Sequence, residues 1–385
     1  MRIGIFTECY HPTLNGVVVS IDTFKETLEA RGHQYFIFAP ETRGYRDQRT
    51  SRIFRHPSFK WPGQKNYPIA WPLLSRKEIA QIHDLHLDII HPQHLFTMGK
   101  FGLRIGRLLD IPVVHTYHTL IAEYTHYVPL FSGLAKKVIV KMSRKYCNRC
   151  DQIVTPSPSM KKILISYGVR TPIESIPTGV DLDNFKDPFH QEILKSRWHI
   201  REHQKILLYV SRIAKEKNLD FLFTCVRRLA QKRNDFHLLM VGGGPELGYY
   251  QSKMAEWNLE SIVTFTDMQP KKETNRFFGA ADIFVFPSVT ETQGIVVTEA
   301  MAAGIPVVAV NQMGPSDIIK DGVDGFLTSL KKEEFSAKIG KLLDNEDLRK
   351  KMGRSGKENA ERFSKLNCGL KMEELYERIL NRHRP

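Results

Sequence analysis

Residues 283–300 read Ile283-Phe284-Val285-Phe286-Pro287-Ser288-Val289-Thr290-Glu291-Thr292-Gln293-Gly294-Ile295-Val296-Val297-Thr298-Glu299-Ala300. The uninterrupted apolar run at the start predicts a strand that is buried on both faces. The apolar segment from Gly294 to Ala303 predicts the helix that follows it. A buried strand that leads directly into a helix is the unit from which parallel α/β sheets are built.

Two carboxylates lie eight residues apart in this apolar segment, Glu291 in the predicted turn and Glu299 in the predicted helix. The first N–H groups of a helix have no partner inside it and bind anions, so we expect the amides of residues 293–295 to bind a phosphate. Glu299 would then hold hydroxyls of an attached sugar. The alternative is that both carboxylates make structural hydrogen bonds, which charged groups in apolar surroundings need.

The same alternation of strands and helices runs through the chain twice, which predicts two doubly wound, Rossmann-like α/β domains. We place them at residues 1–182 and 183–362, with a C-terminal helix in 363–385 that can pack back on the first domain. Ligands bind at the carboxyl ends of parallel strands, so we expect the domains to face each other across a cleft. The predicted strands are 2–7, 35–39, 89–91, 112–116, 152–155 and 173–176, then 206–211, 237–241, 262–266, 282–286, 306–309 and 325–327.

The net charge of +14 is concentrated in the first half of the 385 residues. Residues 1–185 carry 24 Lys and Arg against 15 Asp and Glu, and the remainder carries 32 against 27. One basic segment has arginines at steps of three: Arg43, Arg46, Arg49, Arg52 and Arg55, with Phe54, Phe59 and Trp61 among them. A second has no acid between Glu123 and Asp151, and its cations are Lys136, Lys137, Lys141, Arg144, Lys145 and Arg149.

The second basic segment also carries apolar side chains, which fall mainly on one side of a helical wheel. A basic amphipathic helix of this kind predicts binding to an anionic membrane surface. A solvated basic face is the second interpretation. Nucleic acid is the third, because no recognised binding module accompanies the charges. The apolar residues are Leu134, Val138, Ile139, Met142 and Tyr146.

Targeting signals and cysteines indicate the compartment. The N-terminal residues lack the apolar core and cleavage site of a signal peptide, and no apolar run is long enough to span a bilayer. Five cysteines, an odd number, fit a reducing compartment better than a disulfide framework. We therefore expect a cytoplasmic protein and interpret Cys147 and Cys150 as structural.

Further polar residues follow other predicted strands. Gly16 would let the backbone approach a phosphate, but no G-x-G-x-x-G spacing accompanies it, so a nicotinamide or flavin cofactor is disfavoured. Arg212 and Lys217 follow the first strand of the second domain and are suited to clamp a diphosphate. His118 lies just beyond a strand, whereas His115 lies within it and is more easily explained as structural. A metal site is disfavoured, because this His-x-x-His pair has no third ligand at suitable spacing.

With these motifs assembled, the chain resembles the retaining glycosyltransferases of family 4, which have the GT-B fold. The strongest parts of the resemblance are Glu291 to Glu299 with the following 300–309, and Pro177-Thr178-Gly179-Val180-Asp181. One departure is Gly314-Pro315-Ser316-Asp317, which stands where many relatives have Gly-Gly followed by Glu. The resemblance implies a nucleotide-sugar donor and neither a cofactor nor a metal.

The resemblance also assigns roles to residues. Arg212 and Lys217 would bind the donor diphosphate, Glu299 the ribose hydroxyls and Glu291 the hydroxyls of the donor sugar. His118 would lie close to the transferred sugar. The implied catalytic residues are His118, Glu291, Arg212 and Lys217, and the implied donor site comprises Gly16, Arg212, Lys217, Gln293, Gly294, Ile295, Val296 and Glu299.

Within that family, residues 115–130 and the basic helix ending at Asp151 resemble the bacterial 1,2-diacylglycerol 3-glucosyltransferases. This implies transfer of glucose from UDP-glucose to the free hydroxyl of diacylglycerol, giving an α-glycolipid at the inner face of the cell membrane. The membrane-binding residues would be Lys136, Lys137, Lys141, Arg144 and Lys145. Retention by front-face departure and retention through a covalent enzyme intermediate both remain open.

Three alternatives remain. The acceptor of a family 4 transferase can instead be phosphatidylinositol, a soluble sugar or a polysaccharide. A two-domain epimerase of similar architecture would hydrolyse the same donor, although the spacing of Glu291 and Glu299 fits transfer better. A catalytically inactive, membrane-bound sensor would bind the donor without turnover.

Overall fold

A computed structural model describes residues 1–48, 52–59, 68–72, 74–120 and 132–383. The chain forms two compact units, Met1–Gly179 with Lys365–Pro385, and Val180–Ser364. Arg49, Trp61, Glu123 and most of the 115–130 segment that carries the closer resemblance lie outside the described residues.

The first unit contains parallel strands in the order β3-β2-β1-β6 and β7-β8-β9. A bridge between Ile90 and Val113 links the two sets, and the Ile90 amide donates to the Pro112 carbonyl at 3.0 Å. A two-stranded antiparallel sheet, β4 with β5, is separate. The strands are β1 (Arg2–Phe6), β2 (Gln34–Pro40), β3 (Ile53–His56), β4 (Ser58–Phe59), β5 (Ile69–Ala70), β6 (Ile89–Pro92), β7 (Val114–Thr116), β8 (Gln152–Thr155) and β9 (Ile173–Ser175).

In the described residues, five helices from the first part of the chain and the last helix surround these strands. They are α1 (Gly16–Glu29), α2 (Arg76–His83), α3 (Thr97–Leu109), α4 (Ser132–Cys147), α5 (Pro158–Ser166) and α14 (Lys365–His383). Buried residues of α14, including Met372 and Tyr376, recur at helical spacing and join the core around α1. A Cβ on Gly369 would lie 2.4 Å from the Thr27 side chain, so the two helices are in close contact. The last helix therefore completes the core of the first unit.

The second unit is one six-stranded parallel sheet in the order β12-β11-β10-β13-β14-β15. Its strands are β10 (Lys205–Val210), β11 (Phe236–Val241), β12 (Val263–Phe265), β13 (Ile283–Phe286), β14 (Val307–Val310) and β15 (Gly325–Thr328). Its helices are α6 (Gln191–Arg197), α7 (Leu219–Ala230), α8 (Leu247–Glu256), α9 (Lys271–Ala280), α10 (Ile295–Ala302), α11 (Met313–Ile318), α12 (Lys332–Asp344) and α13 (Glu346–Ala360).

The strand order of each unit has one switch point. At this point the chain stops adding strands on one side of the first strand and begins to add them on the other side. The switch point lies between β1 and β6 in the first unit and between β10 and β13 in the second. Loops at the carboxyl ends of strands on either side of such a point splay apart and leave a crevice for ligands. The predicted α/β class with two Rossmann-like domains is confirmed, and all twelve predicted strands are present to within two residues at either end.

Three strands were not predicted. β3 is a half-buried edge strand inside the arginine-rich segment. The charged residues there interrupt the apolar pattern by which a strand is recognised. The residues of β4 and β5 form strands of two residues each, too short to give a period.

All five cysteines are free and buried. Burial raises the pKa of the Cys147 thiol to about 12, which makes it inert at neutral pH and agrees with a structural role. Among the described helices none is long and apolar enough to cross a membrane.

Candidate functional site

The loops after β10 and β13 meet at the switch point of the second unit. The Lys217 ammonium donates to the Glu291 carboxylate, and the Ser288 hydroxyl donates to the same oxygen at 3.1 Å. Both charged side chains are largely buried, at 16% and 18% exposure. The structure therefore brings together two residues that are 74 positions apart and that the sequence assigned to the same ligand.

Arg212 is held by a partner that sequence reasoning missed. Its guanidinium donates to the carboxylate of Glu216, whose side chain is only 2% exposed, while that of Arg212 is 58% exposed. The Thr290 hydroxyl donates to the Glu216 carbonyl at 3.3 Å and so joins this loop to the one after β13. A buried acid thus anchors an arginine that keeps further N–H donors directed to solvent.

Glu299 has a lysine partner as well. The ammonium of Lys271, at the start of α9, donates to the Glu299 carboxylate, which lies on the buried helix α10. Lys271 was not predicted. A signal was present, because a cation in the first turn of a helix opposes the helix dipole and therefore suggests another role.

The turn into α10 depends on two glycines. Gly294 caps the helix with φ 79°, a backbone conformation that favours glycine. A Cβ on Gly314 would lie 2.2 Å from the Gln293 carbonyl, and the Gly314 amide donates to the Glu291 carbonyl at 2.9 Å. The helix begins at Ile295, one residue later than predicted. The amides of Gly294, Ile295 and Val296 are among the first N–H groups, which have no partner inside a helix.

A run of three glycines after β11 supports the loop that carries Arg212. Gly242 has φ 140°, and a Cβ there would lie 2.1 Å from the Ser211 carbonyl oxygen. A Cβ on Gly244 would lie equally close, at 2.1 Å, to the Ile213 carbonyl oxygen. The Ile213 amide donates to the Gly243 carbonyl at 2.9 Å. Three consecutive glycines at a strand end were a visible signal that the sequence reasoning passed over.

In the first unit, Gly16 opens α1 at the carboxyl edge of β1. The Asn15 side chain accepts from the amides of Val17 and Val18, both at 3.0 Å, so those two groups are already paired. The expected close approach of a phosphate is therefore limited to the Gly16 end of the helix. A Cβ on Gly16 would meet no atom within 4 Å. The glycine is thus not required by packing and leaves open space beside the helix start.

Four histidines lie at the carboxyl ends of β6 and β7. His91 bonds to the hydroxyls of Tyr376 (2.6 Å) and Thr116 (2.7 Å). His94 accepts from the Glu8 amide at 3.2 Å, and His115 bonds to the Pro92 carbonyl at 2.9 Å. These contacts agree with a structural role for His115. Burial lowers the pKa of His91 and His94 to about 3 and that of His115 to about 4, so all three are neutral.

His118 is half-buried at the edge of this group. Its Nε2 bonds to Oε1 of Gln93 at 2.7 Å. Burial, reinforced by the neighbouring His94, His91 and His115, holds the pKa of His118 well below its usual value. A neutral imidazole at this position can exchange hydrogen bonds with a ligand but cannot serve as an acid at neutral pH. In the described part of the chain, no group of three or more His, Cys, Asp or Glu side chains is arranged to hold a metal ion.

Comparison with known families decides the identity. Residues 14–184 match the model described as Glycosyltransferase Family 4, and residues 190–359 match the model described as Glycosyl transferases group 1. An alpha-monoglucosyldiacylglycerol synthase of Streptococcus pneumoniae is 34% identical over 85% of this chain and 75% of its own length. The chain belongs to the family 4 glycosyltransferases. The prediction that it is a hexosyltransferase is confirmed.

Other relatives of this glycosyltransferase extend the comparison. An alpha-monoglucosyldiacylglycerol synthase of Acholeplasma laidlawii is 26% identical over 100% of this chain and 98% of its own length. A GDP-mannose-dependent alpha-mannosyltransferase of Corynebacterium glutamicum is 29% identical over 90% of this chain and 81% of its own length. Among solved structures, Anabaena Alr3699/HepE in complex with UDP aligns with a TM-score of 0.79 at 17% identity, covering 98% of this chain and 100% of that one. The GT-B fold expected for the glycosyltransferase is thereby confirmed.

The basic helix α4 of the glycosyltransferase differs in part from its prediction. Tyr146 was grouped with the apolar side of the helix, but it is buried and donates to the Gly99 carbonyl at 2.9 Å. Leu134 and Val138 instead point outward, at 63% and 57% exposure. The apolar set is thus divided between the core and the surface. The cations predicted to bind a membrane are all exposed: Lys136, Lys137, Lys141, Arg144 and Lys145.

The arginine-rich segment of the glycosyltransferase is not a continuous basic surface. Arg55, in β3, makes two bonds of 2.8 Å to the Asp47 carboxylate and donates to the carbonyls of Pro40 and His11. Arg52 pairs with Glu29 at 3.3 Å. Arg55 is therefore a structural residue that fixes the loop between β1 and α1. Gly16, the first residue of α1, follows this loop.

Proposed function

We propose that this glycosyltransferase moves glucose from UDP-glucose to the free hydroxyl of diacylglycerol, with retention of configuration, and produces an α-glycolipid at the inner surface of the cell membrane. Two of the relatives named above are alpha-monoglucosyldiacylglycerol synthases, and one of them is the relative at 34% identity. The single observation that carries the donor side is the cluster of three carboxylate–cation pairs around the start of α10.

The donor would bind in the second unit through the residues of this cluster. Arg212 and Lys217 supply positive charge for the diphosphate, and the amides of Gly294, Ile295 and Val296 add donors at the helix start. Gln293, which is buried, supports this turn. Glu299 would accept from the ribose hydroxyls and Glu291 from hydroxyls of the sugar, because ionised carboxylates are acceptors only.

The reaction would proceed by departure and attack on the same face of the sugar. The bond from the anomeric carbon to the diphosphate oxygen breaks, and the acceptor oxygen forms its bond on that face. The departing phosphate oxygen takes the proton of the acceptor hydroxyl. Arg212 and Lys217 stabilise the charge that grows on the diphosphate, which gives these cations the task that a divalent metal performs elsewhere. A covalent intermediate remains the rival route, and no metal or cofactor is part of the proposal.

The acceptor side rests on α4. Its outward face combines the exposed Leu134 and Val138 with lysines, including Lys141 and Lys145. Apolar side chains surrounded by cations are suited to bind the surface of an anionic bilayer, where diacylglycerol is found. We propose that this helix holds the enzyme peripherally on the membrane and that nucleic acid is not a partner.

A second candidate function is transfer of mannose from GDP-mannose. It is favoured by the mannosyltransferase relative of Corynebacterium glutamicum. Phosphatidylinositol, a soluble sugar or a polysaccharide would be the acceptor in further variants of the same chemistry.

The test is release of nucleoside diphosphate from a panel of UDP- and GDP-sugars. Each sugar is incubated with liposomes of anionic lipid, with and without diacylglycerol. We expect release from UDP-glucose only when diacylglycerol is present, together with a new glycolipid. Release from GDP-mannose instead would show that GDP-mannose is the donor. Release that is equal without lipid would refute the lipid acceptor.

A further inference from the structure

Gln93 is the polar side chain that contacts His118, and its own orientation is fixed from the opposite side. The amide of Gln93 is buried, and its Nε2 donates to the His91 carbonyl at 3.2 Å. A carbonyl oxygen can only accept, so the NH2 group must face His91 and Oε1 must face His118. The Gln93 backbone amide donates to the Phe6 carbonyl at 2.8 Å, which ties this residue to β1 at the switch point.

The orientation of Gln93 determines which nitrogen of His118 carries the proton. Oε1 of Gln93 can only accept, and it lies 2.7 Å from Nε2 of His118. Nε2 therefore carries the hydrogen. Because the imidazole is neutral, Nδ1 keeps its lone pair, and it bonds to no other residue in the described ranges. His94, Phe96 and Thr119 line the pocket beside it.

His115 shows that the tautomer is a local property and not a common feature of these histidines. Its Nδ1 lies 2.9 Å from the Pro92 carbonyl, so Nδ1 carries the hydrogen. Its Nε2 is buried without a partner. Two histidines three residues apart thus hold opposite tautomers, and of the two only His118 is partly exposed.

We propose that Gln93 is a positioning residue that locks His118 as the Nε2–H tautomer, so that Nδ1 is a fixed acceptor for one hydroxyl of the donor sugar. This deepens the proposed function and rests on it for the identity of the sugar. A fixed acceptor recognises a hydroxyl that donates, so it discriminates against a sugar in which that hydroxyl is missing. A histidine free to change tautomer would lose part of this discrimination.

The first test is spectroscopic and needs no substrate. The protein is labelled with ¹⁵N-histidine, and His118 is assigned by comparison with His118→Asn. Protonated and unprotonated ring nitrogens differ widely in chemical shift. We expect the pattern of an Nε2–H tautomer in the wild type and a mixture of tautomers in Gln93→Leu. An unchanged His118 pattern in Gln93→Leu would overturn the proposal.

The second test measures coupling between the protein and the sugar. Donor KM is compared for UDP-glucose and for a series of UDP-deoxyglucoses, in wild type and in Gln93→Leu. We expect one deoxy sugar to bind about tenfold more weakly than glucose to the wild type, and this difference to become smaller in the variant. A difference of unchanged size in the variant would overturn the role in recognition. If no UDP-sugar is turned over at all, the proposed function fails, while the ¹⁵N spectra still report the tautomer.

Two further variants separate positioning from folding. Gln152→Leu is the matched control, because Gln152 is buried in the same unit and its side chain also donates to a backbone carbonyl, at 3.2 Å. We expect it to leave donor KM unchanged. In Gln93→Glu the carboxylate lies among neutral His91, His94 and His115 and raises the pKa of His118.

Below that raised pKa, Nδ1 of the Gln93→Glu variant carries a proton and cannot accept. Its kcat/KM should therefore rise with pH across the neutral range, where the wild type is flat. A flat profile in this variant would contradict the proposal.

Discussion

The Lys271 ammonium donates to the Glu299 carboxylate. The Lys271 side chain is 56% exposed, whereas the Glu299 side chain is only 7% exposed. An exposed cation thus neutralises a buried acid that the proposed ribose hydroxyls would need. The donor would therefore bind by taking over a hydrogen-bond acceptor that is already in use.

Replacing Lys271 by Met tests this competition. The substitution keeps the aliphatic stem and removes the charge, so we expect the dissociation constant for UDP to fall several-fold. The free energy of unfolding should fall by about 1 kcal/mol, because the Glu299 carboxylate loses a partner that is itself half-exposed. Calorimetric titration with UDP and urea unfolding measure the two effects. Lys272→Met, one residue further on and also exposed, should change neither. Weaker UDP binding in Lys271→Met would mean that the lysine itself contacts the donor.

Arg212→Ala should reduce kcat about a hundredfold with a smaller change in donor KM, because the guanidinium stabilises charge that develops as the diphosphate leaves. The buried carboxylate of Glu216 also loses its partner, so the variant should be less stable. The double variant with Glu216→Gln should recover stability without recovering kcat. Arg227→Ala, an exposed arginine on α7, is the control. Unchanged turnover would remove Arg212 from the mechanism.

Gly16→Ala should fold as the wild type does, within about 0.5 kcal/mol, because the added Cβ meets no atom within 4 Å. Activity should nevertheless fall if this space receives the donor phosphate. Thermal unfolding and initial rates at saturating diacylglycerol separate the two properties. Gly248→Ala, where a Cβ also meets nothing, should alter neither. Full activity in Gly16→Ala would place the donor elsewhere.

Charge reversal at Lys136, Lys137 and Lys141 should abolish binding to anionic vesicles and leave UDP binding intact. Each cation near such a surface contributes about 1 kcal/mol, and reversal doubles the change per site. Vesicle flotation at low and high salt measures the effect. The control reverses three exposed lysines of the second unit, Lys331, Lys351 and Lys357. Vesicle binding that survives reversal in α4 would refute the membrane role of this helix.

The buried histidines predict acid sensitivity of the first unit. Burial lowers the pKa of His91 and His94 to about 3 and that of His115 to about 4, while the unfolded chain titrates near 6.5. Their contribution to stability is therefore complete above about pH 6.5 and is lost as the pH falls toward the folded values. Below pH 6.5, each such group should add up to about 1.4 kcal/mol per pH unit to the loss.

Urea unfolding between pH 7.5 and about pH 4.5 checks this dependence. His115→Asn should reduce the slope of stability against pH by the contribution of one proton. His203→Asn, at an exposed site, should not change it. Identical slopes in wild type and His115→Asn would contradict the assignment.

Much of the fold was accessible to sequence analysis because strands such as Ile283–Phe286 are continuous apolar runs, and their alternation with helices permits few topologies. Edge strand β3 was not recognised because Arg52, just before it, and Arg55, within it, obscure its apolar pattern. Tyr146 was misplaced on the surface face of α4, since a helical wheel gives the spacing of residues but not the direction of the core.

The candidate site was predictable where a residue type had no easy structural explanation, as for Glu291 or Arg212. The partners of these residues were not. Glu216 lies four residues after Arg212, a spacing that is common for ion pairs on any helix. The role of Gln93 is visible only from its two contacts, to the His91 carbonyl and to His118. Such pairings depend on the packing of loops, which no local pattern encodes.

The placement of α14 has a consequence for synthesis on the ribosome. The second unit is continuous in the chain, so it can fold as soon as Val180–Ser364 has emerged. The first unit is translated earlier, but Met372, Leu375 and Tyr376 reach its core only after the whole of the second unit has been made. One apolar side of α1 must therefore stay uncovered in the nascent first unit until the second unit has been translated.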